Sequence, residues 1–175
     1  VQAYSGMMSV TGFADRAPVK AGPAVADFMS GKHLYAAIVT ALLQRERTGE
    51  GRLVEVSMQE AVYPSMASNI GMYFDTGTAP RTDNRHGGLS VAPYNVYATK
   101  DGHVAIITVT EAHWRNLLTA MDRADLVDDA NFASNQARIA RIDEVDALVQ
   151  AWTRDRTRDE VFALARRHGV PAALI

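Results

Sequence analysis

The sequence predicts a mixed α/β protein made of two pieces, and three observations favour this fold class. A helical period of apolar residues spans residues 30–47, and a β-hairpin signal followed by further helical periods begins at residue 94. Between them, residues 75–90 lose the apolar signal and become rich in Gly, Thr, Asp, Asn and Arg. Such a stretch is typical of a linker, so we place a domain boundary near residue 80.

The first predicted helix follows a segment of loops. Residues 1–26 are rich in glycine, proline and small side chains without a sustained period, which favours turns. A helix is predicted from about Ser30 to Arg47 and ends at Gly49, because glycine adopts the left-handed conformation after a helix. Its predicted buried stripe consists of Leu34, Ile38, Ala41 and Leu42.

A strand and a kinked helix are predicted next. Arg52–Val56 carries alternating apolar residues and predicts a short strand. The helix after it runs from Ser57 to about Tyr73, since Ser57 and Glu60 have the spacing of a capping box. Pro64 removes a backbone donor and predicts a kink in this helix.

The second piece begins with a hairpin. Its strands are predicted at Tyr94–Thr99 and His103–Val109, and Asp101-Gly102 in the turn is expected to supply positive φ angles. A final strand is predicted in residues 171–175. Three helices are predicted between the hairpin and this strand: Glu111–Met121, Asn135–Trp152 and Arg158–His168.

Composition excludes several classes of function. The chain has 175 residues, 47% of them hydrophobic and 22% charged, and a formal net charge of -2, which does not favour nucleic acid as a partner. It has no cysteine, so disulfides and thiolate chemistry are excluded. The apolar runs are shorter than the roughly 20 residues of a membrane span. We expect a cytoplasmic protein without a membrane partner, and the abrupt ends predict an internal piece of a longer one.

Asp27 is the one carboxylate that suggests chemistry, and two interpretations stay open. A carboxylate just before a predicted helix is commonly its N-cap. The same side chain in a turn of small and apolar residues is also suited to attack a thioester carbonyl and form a covalent acyl-enzyme. Free amides at the helix start would then stabilise the oxyanion.

Other motifs are less specific. Thr48–Arg52 has too few features of a phosphate loop, since it follows a helix and lacks a Lys-Ser/Thr pair. His86–Ser90 is either a flexible turn or a glycine-hinged lid that keeps water from a reactive intermediate. No metal site is expected, because the histidines lack ligand spacing and are interpreted as surface or structural residues: His33, His86, His103, His113 and His168.

Several segments together resemble the class III CoA-transferase family (CaiB/BaiF type). The match covers essentially the whole chain in the order and spacing of that family. The segments that carry the resemblance are residues 2–8 (QAYSGMM), 11–12 (TG), 26–28 (ADF), 41–52 (ALLQRERTGEGR), 54–61 (VEVSMQEA), 92–94 (APY), 99–102 (TKDG) and 168–172 (HGVPA).

The resemblance implies a domain organisation. Residues 1–75 would belong to an incomplete large CoA-binding domain with a Rossmann-like core, residues 76–92 to a linker with a glycine loop, and residues 93–175 to a small α+β domain. It also implies a full-length protein that forms an interlocked homodimer.

The resemblance further implies site residues and substrates. Asp27 falls on the catalytic aspartate, which would carry CoA as a covalent aspartyl thioester between a donor acyl-CoA and an acceptor carboxylic acid. Met58 matches a residue that lines the CoA site, and Gly87 and Gly88 match a loop that shields the intermediates. Coenzyme A enters as part of the substrate, and no metal is implied.

Two alternatives stay open beside the transferase. The same superfamily includes α-methylacyl-CoA racemases, in which an aspartate at the position of Asp27 works with a histidine and a glutamate, and Glu111 aligns with that glutamate. The third hypothesis is a non-catalytic dimerisation module with Asp27 as a cap. The sequence does not determine the donor and acceptor acids.

Overall fold

The structure, a computed structural model, describes all residues from Val1 to Ile175. The chain divides into two compact units, Val1–Asp83 and Asn84–Ile175. Both helices and a sheet are present, so the predicted mixed α/β class is confirmed at this level. None of the helices combines the length and apolar character that crossing a bilayer requires.

The first unit is dominated by one long helix. After a short 3₁₀ turn at Met7–Ser9, helix α1 runs from Val25 to Thr48 and ends at Gly49, whose φ of 77° is the left-handed conformation expected there. The predicted start at Ser30 was too late. The signals for the true start were weak, because the N-cap residue is Ala24, which has no side chain to hydrogen-bond the first amides.

A small apolar cluster fixes the beginning of α1. Ala26 is buried against Met7, Val62 and Met66. One turn later, the buried hydroxyl of Ser30 donates a hydrogen bond to the carbonyl of Ala26 at 2.6 Å. Although the cluster is small, it joins α1 to the residues before it and to the segment that follows it in the chain.

The segment after α1 differs from the sequence prediction in one element. Residues 52–56 form no strand, and the prediction of a strand at Arg52–Val56 was wrong. A β-strand needs the backbone donors and acceptors of a neighbour, and the first unit contains no strand for this segment to pair with. An alternation of apolar residues indicates which side chains lie on one face of a strand, but it does not provide the neighbouring strand for pairing.

The predicted kink at Pro64 is confirmed and divides the helix into three parts. Helix α2 spans Met58–Ala61, a 3₁₀ turn spans Tyr63–Met66, and helix α3 spans Ala67–Thr76. At the start of α2 the hydroxyl of Ser57 accepts a hydrogen bond from the amide of Glu60, which is one of the two bonds of the predicted capping box.

The apolar stripe of α1 is not buried within the first unit. Leu34, Ile38 and Leu42 are 39%, 43% and 44% exposed, although the sequence predicted them as a core-facing row. Other large apolar residues of this helix are also exposed: Phe28, Tyr35, Val39 and Leu43. The periodicity therefore describes a surface that nothing in this unit covers.

The second unit is built on a three-stranded antiparallel sheet. Strand β1 spans Tyr94–Thr99, β2 spans Gly102–Ile107 and β3 spans Ala172–Leu174, in the order β1-β2-β3. In the register, Val96 faces Ala105 and Ala105 faces Ala173. The predicted hairpin and the predicted final strand are confirmed.

The hairpin turn has the predicted positive φ at one of its two residues. Asp101 has no positive φ, whereas Gly102, the first residue of β2, has a φ of 156°. Asp101 is held through its side chain instead. Its Oδ1 atom accepts hydrogen bonds from the hydroxyl of Thr99 at 3.1 Å and from the amide of Arg158 at 2.8 Å.

Four helices complete the second unit and form one apolar core with the sheet. Helix α6 packs across β1, and α7 packs against β2 and β3. The core includes Val104 and Ile106 of β2, both fully buried. The helices are α4 (Glu111–Ala120), α5 (Asn135–Ala140), α6 (Ile142–Arg154) and α7 (Arg158–Arg167). Their core residues are Trp114, Leu117, Leu118, Val145, Val149, Trp152, Val161 and Ala165.

The helix predicted from Asn135 to Trp152 is interrupted. Arg141, with φ -126° and ψ 34°, leaves the helical region between α5 and α6. The spacing of Ile139, Ile142 and Val145 is compatible with a continuous helix, so the apolar period carries no signal for this break.

Helix α7 begins with a complete capping box. The hydroxyl of Thr157 accepts a hydrogen bond from the amide of Glu160, and the carboxylate of Glu160 accepts one from the amide of Thr157 at 2.7 Å. The backbone amides of Thr157 and Glu160 at the helix start thereby each have a side-chain acceptor.

Replacement of Thr157 by alanine is expected to lower the free energy of unfolding by about 1 kcal/mol, because it removes one partner of the box. The measurement is chemical denaturation of the purified protein. Thr119→Ala is the matched control, since this exposed hydroxyl lies inside α4 and only bonds the carbonyl of Arg115. Equal losses in the two variants would contradict the capping role.

Candidate functional site

Asp27 lies in the first turn of α1 and points to solvent. It is the third residue of the helix, whose N-cap is Ala24. The interpretation of Asp27 as the N-cap is therefore wrong, because the helix begins upstream of it. A carboxylate in the first turn is stabilised by the amides that lack an intrahelical partner there.

The burial of its neighbours fixes the direction of Asp27. Ala26, which belongs to the apolar cluster, is 3% exposed and Ser30 is 9% exposed, whereas Asp27 is exposed and so lies on the open side of α1. A surface depression lies on that side. It is lined by Asp27, Phe28, Gly31, Lys32 and Tyr35. The aspartate thus has a free carboxylate, aromatic side chains and one lysine around it.

Met58 lies on an element that contacts the Asp27 helix. It is the first residue of α2, 36% exposed, and α2 packs against α1. No hydrogen bond connects Met58 or its neighbours to Asp27. The structure therefore places the two residues on adjacent helices of one unit.

Gly87 and Gly88 belong to the second unit and lie in a turn organised by His86. The carbonyl of His86 accepts a hydrogen bond from the amide of Leu89 at 2.8 Å. The ring nitrogen Nδ1 of His86 accepts one from the amide of Gly88 at 3.3 Å and lies 2.9 Å from the hydroxyl of Ser90. The ring also meets Tyr94 edge-on, with 5.6 Å between centroids.

Asn135 connects the end of this turn to the helices. Its side-chain amide donates a hydrogen bond to the carbonyl of Ser90 at 2.8 Å, and its oxygen accepts one from the amide of Ala92 at 3.2 Å. The backbone amide of Asn135 donates to Glu111 at 2.8 Å. The glycine turn and Glu111 therefore share one hydrogen-bonded network.

Glu111 forms an ion pair with a buried arginine. The guanidinium of Arg138 is 1% exposed and donates to both carboxylate oxygens of Glu111, at 2.8 and 3.2 Å. It also donates to the carbonyls of Ala92 and Phe132 and lies 5.0 Å from the ring centre of Trp114. Hydrogen bonding from Arg138 lowers the pKa of Glu111 from its usual value, against the opposing effect of burial.

A second carboxylate, Asp146 of α6, anchors the beginning of this unit. It accepts hydrogen bonds from Arg85 at 2.7 Å, from Asn95 at 2.9 Å and from the hydroxyl of Tyr97 at 2.6 Å. Burial, followed by the charge of Asp146, raises the pKa of Tyr97 well above its usual value. The residue just before His86 is thus attached to a helix of the core.

Sequence reasoning missed the contacts made by Arg138 and by His86. Arg138 pairs with a residue 27 positions away and had no motif to mark it. Residues 86–90 were visible as a glycine-containing turn, but no pattern indicated that Nδ1 of His86 accepts a hydrogen bond from the amide of Gly88. No group of three or more His, Asp or Glu side chains is arranged to hold a metal ion.

Comparison with known protein families shows to which family the chain belongs. The profile of CoA-transferase family III matches residues 1–175. The chain belongs to this family, as the resemblance of its motifs predicted.

Two curated relatives are CoA-transferases by name. The chain is 34% identical over 177 residues to succinyl-CoA–D-citramalate CoA-transferase of Chloroflexus aurantiacus, covering 99% of this chain and 43% of the relative. It is 32% identical over 176 residues to succinate–glutarate CoA-transferase of Agrobacterium fabrum, covering 100% of this chain and 44% of the relative. The chain thus spans less than half the length of these relatives.

Solved structures agree with this assignment. A CaiB/BaiF family protein of Brucella suis is similar with a TM-score of 0.75 and 32% identity, over 99% of this chain and 46% of that one. A hypothetical protein of Mycobacterium tuberculosis is similar with a TM-score of 0.82 and 26% identity, over 98% of this chain and 45% of that one.

Proposed function

We propose that the protein carrying this chain transfers CoA from an acyl-CoA to a carboxylic acid, with Asp27 as the nucleophile. The observation that carries the proposal is the free carboxylate of Asp27 in the first turn of α1, within the segment Ala26-Asp27-Phe28 that resembles the catalytic segment of the family. Its side chain is exposed and has no hydrogen-bond partner.

The proposed chemistry uses this one carboxylate twice. Asp27 attacks the thioester carbonyl of the donor and expels CoA thiolate, which leaves a mixed anhydride. The thiolate attacks the aspartyl carbonyl, releases the donor acid and forms an aspartyl-CoA thioester. The acceptor carboxylate then displaces CoA to give a second anhydride. Attack of the thiolate on the acceptor's carbonyl regenerates Asp27 and yields the new acyl-CoA.

The surroundings of Asp27 support this sequence of steps. Each anhydride forms through a tetrahedral oxyanion, and the first turn of α1 presents backbone amides without an intrahelical partner. Lys32 lines the same depression and supplies a positive charge close to acids and thiolate. Every step exchanges one activated acyl group for another, so no nucleoside triphosphate is required.

The remaining residues of the proposal have supporting roles. Met58 lies on the helix next to α1 and is proposed to contact CoA. Gly87 and Gly88 are proposed to keep water from the aspartyl intermediates in the assembled enzyme.

The proposed assembly is an interlocked homodimer in the cytoplasm, with a Rossmann-like large domain to which the first unit belongs. The exposed apolar surface of α1 supports further polypeptide packing there, since apolar surface of this extent is normally covered.

The contacts of Glu111 account for this residue without a role in racemisation, so its alignment alone gives the racemase alternative little support. Both oxygens of Glu111 are engaged by Arg138, and the lowered pKa keeps the carboxylate ionised. These contacts suit a residue that holds α4 and α5 together.

Trapping with hydroxylamine tests the proposal. The full-length protein is incubated with succinyl-CoA, because the names of the two relatives contain succinyl-CoA and succinate, and hydroxylamine is added to capture activated acyl groups. We expect the peptide containing Asp27 to carry an aspartyl hydroxamate by mass spectrometry.

Two controls define the outcome of the trapping experiment. The modification requires acyl-CoA and is absent from the Asp27→Asn variant. Modification of a different carboxylate during turnover would refute Asp27 as the nucleophile. Exchange of the substrate α-proton for deuterium, without transfer, would identify a racemase, and the absence of both activities would leave a binding module.

A further inference from the structure

Lys32 is an unpaired cation beside Asp27. It is an exposed residue in the second turn of α1 and lines the depression that also contains Asp27. Its side chain makes no hydrogen bond and no ion pair. Ion pairs along a helix join residues three or four positions apart, and none of those neighbours of Lys32 is charged. These neighbours are Phe28, Met29, Tyr35 and Ala36. The ammonium of Lys32 is therefore available to an anionic ligand.

Gly31 leaves the surface of α1 open between Asp27 and Tyr35. The three residues are spaced four positions apart and follow one another along one face of the helix. Glycine inside a helix costs about 1 kcal/mol relative to alanine. A β-carbon at Gly31 would stand in open space, since no atom beyond its own stretch of helix lies within 4 Å. Packing within this unit does not explain the glycine, whereas a ligand that approaches the helix backbone does.

The spacing of Asp27 and Lys32 suits a short acid between them. Five positions along a regular helix separate their Cα atoms by roughly 8–9 Å. Helical side chains lean toward the N-terminus, which favours extension of the Lys32 stem toward the turn of Asp27. The two side chains form no ion pair with each other. The depression has a volume of about 370 Å³, which is within the range of small-molecule sites.

The charges indicate which class of acid fits this depression. When an acyl group is bound to Asp27, the rest of the acid extends from that carboxyl group over Gly31. A monocarboxylic acid presents only hydrocarbon to Lys32. A dicarboxylic acid presents its distal carboxylate, which forms charge-assisted hydrogen bonds with an ammonium. The aromatic side chains of Phe28 and Tyr35 line the same depression and offer contacts to the carbon chain.

We infer that Lys32 is a specificity-determining residue of the Asp27 site and binds the distal carboxylate of a short dicarboxylic acid, while the proximal carboxyl group reacts at Asp27. The inference rests on the proposed transferase function and names the substrate class of that site. Lys32 forms a reversible ion pair with the substrate. All bonds that are made and broken remain those at Asp27.

Isotope exchange between an acyl-CoA and its own labelled free acid tests this role in the full-length protein. The two acids compared are succinate and butyrate, which has a methyl group in place of the distal carboxylate. The parent is expected to have the higher kcat/KM with succinyl-CoA. In Lys32→Met this value is expected to fall roughly ten- to hundredfold, the effect of losing a charged hydrogen bond, whereas kcat/KM for butyryl-CoA changes by less than about threefold.

Three further variants separate charge recognition from other effects. Arg47→Met is the matched control, because it removes a cation from the last turn of the same helix, roughly 22 Å from Lys32, and is expected to leave both acids unaffected. Lys32→Arg keeps the positive charge and is expected to retain most of the preference for succinyl-CoA. Gly31→Leu fills the open surface and is expected to lower exchange of both acids by similar factors.

The outcomes distinguish the inference from the function on which it rests. An unchanged preference in Lys32→Met, or equal losses with succinyl-CoA and butyryl-CoA, overturns the role of Lys32 and leaves the transferase assignment intact. Lys32→Gln serves as the second variant if Lys32→Met does not fold by circular dichroism. Exchange at the parental rate by Asp27→Asn overturns the mechanism at Asp27, and a parent that exchanges neither acid overturns both proposals.

Discussion

Replacement of Asp27 by alanine is expected to reduce CoA transfer by at least about a thousandfold, because the reaction then lacks the group that becomes acylated. Asp27→Asn is expected to behave in the same way. The amide has nearly the shape of the carboxylate but is a poor nucleophile, so it separates loss of chemistry from loss of packing. The measurement is the rate of acyl-CoA formation from succinyl-CoA and an acceptor acid by the full-length protein.

The fold should survive these substitutions. Asp27 is exposed, and its contribution as a first-turn carboxylate is only about 0.3–1 kcal/mol. Asp75→Asn is the matched control, since Asp75 is an exposed aspartate of α3 in the same unit, and this variant is expected to keep the parental rate. If Asp27→Asn transferred CoA as fast as Asp75→Asn, a covalent aspartyl intermediate at Asp27 would be refuted.

Replacement of Arg138 by methionine is expected to lower the free energy of unfolding by about 3 kcal/mol or more. The change leaves Glu111 without its cation and the carbonyls of Ala92 and Phe132 without their donor. Breaking a fully buried pair costs about 3–5 kcal/mol, and the lower end applies because the Glu111 side chain is 43% exposed. Arg138→Lys is expected to recover little, since an ammonium cannot bind both oxygens in the same plane.

The measurement combines denaturation of the full-length protein with hydrogen exchange in residues 92–140. Arg141→Met is the matched control. Arg141 is an exposed arginine of the same segment, and its pair with Glu144 contributes at most about 1 kcal/mol. If both variants lost a similar free energy of unfolding, the pair of Arg138 with Glu111 would contribute no more to stability than the exposed pair of Arg141.

The same ion pair predicts a dependence of stability on pH. The folded state lowers the pKa of Glu111, so the pair stabilises the fold above the unfolded pKa of roughly 4.3. This contribution is lost as pH falls through the lower folded pKa. In Glu111→Gln the contribution of this group is constant, so the acid side of the stability curve is expected to be flatter than in the parent.

Sequence patterns predicted the second unit better than the first. Its apolar positions pack against one another within residues 84–175, so the pattern and the burial agree at Val104, Val145 and Val149. In the first unit the stripe of Leu34, Ile38 and Leu42 has no covering partner. The pattern correctly indicated an apolar face, but it carries no information on what covers that face.

The candidate site was predictable only in part. The family motif indicated Asp27 as the candidate nucleophile, whereas its place inside the first turn depended on a helix start that has no polar cap. The contacts of His86 and Arg138 have no periodic signal in the sequence. The first is a local hydrogen bond from the amide of Gly88 to Nδ1 of His86, and the second joins Arg138 to Glu111, 27 positions away.

The attachment of Asp146 to Tyr97 has a consequence for behaviour in basic solution. With its pKa raised by burial and by the neighbouring carboxylate, the phenol stays neutral well into the alkaline range and continues to donate its proton to Asp146. Arg85, which binds the same carboxylate, keeps its positive charge over that range as well. The hydrogen bonds that join the segment before the glycine turn to α6 are therefore retained at alkaline pH.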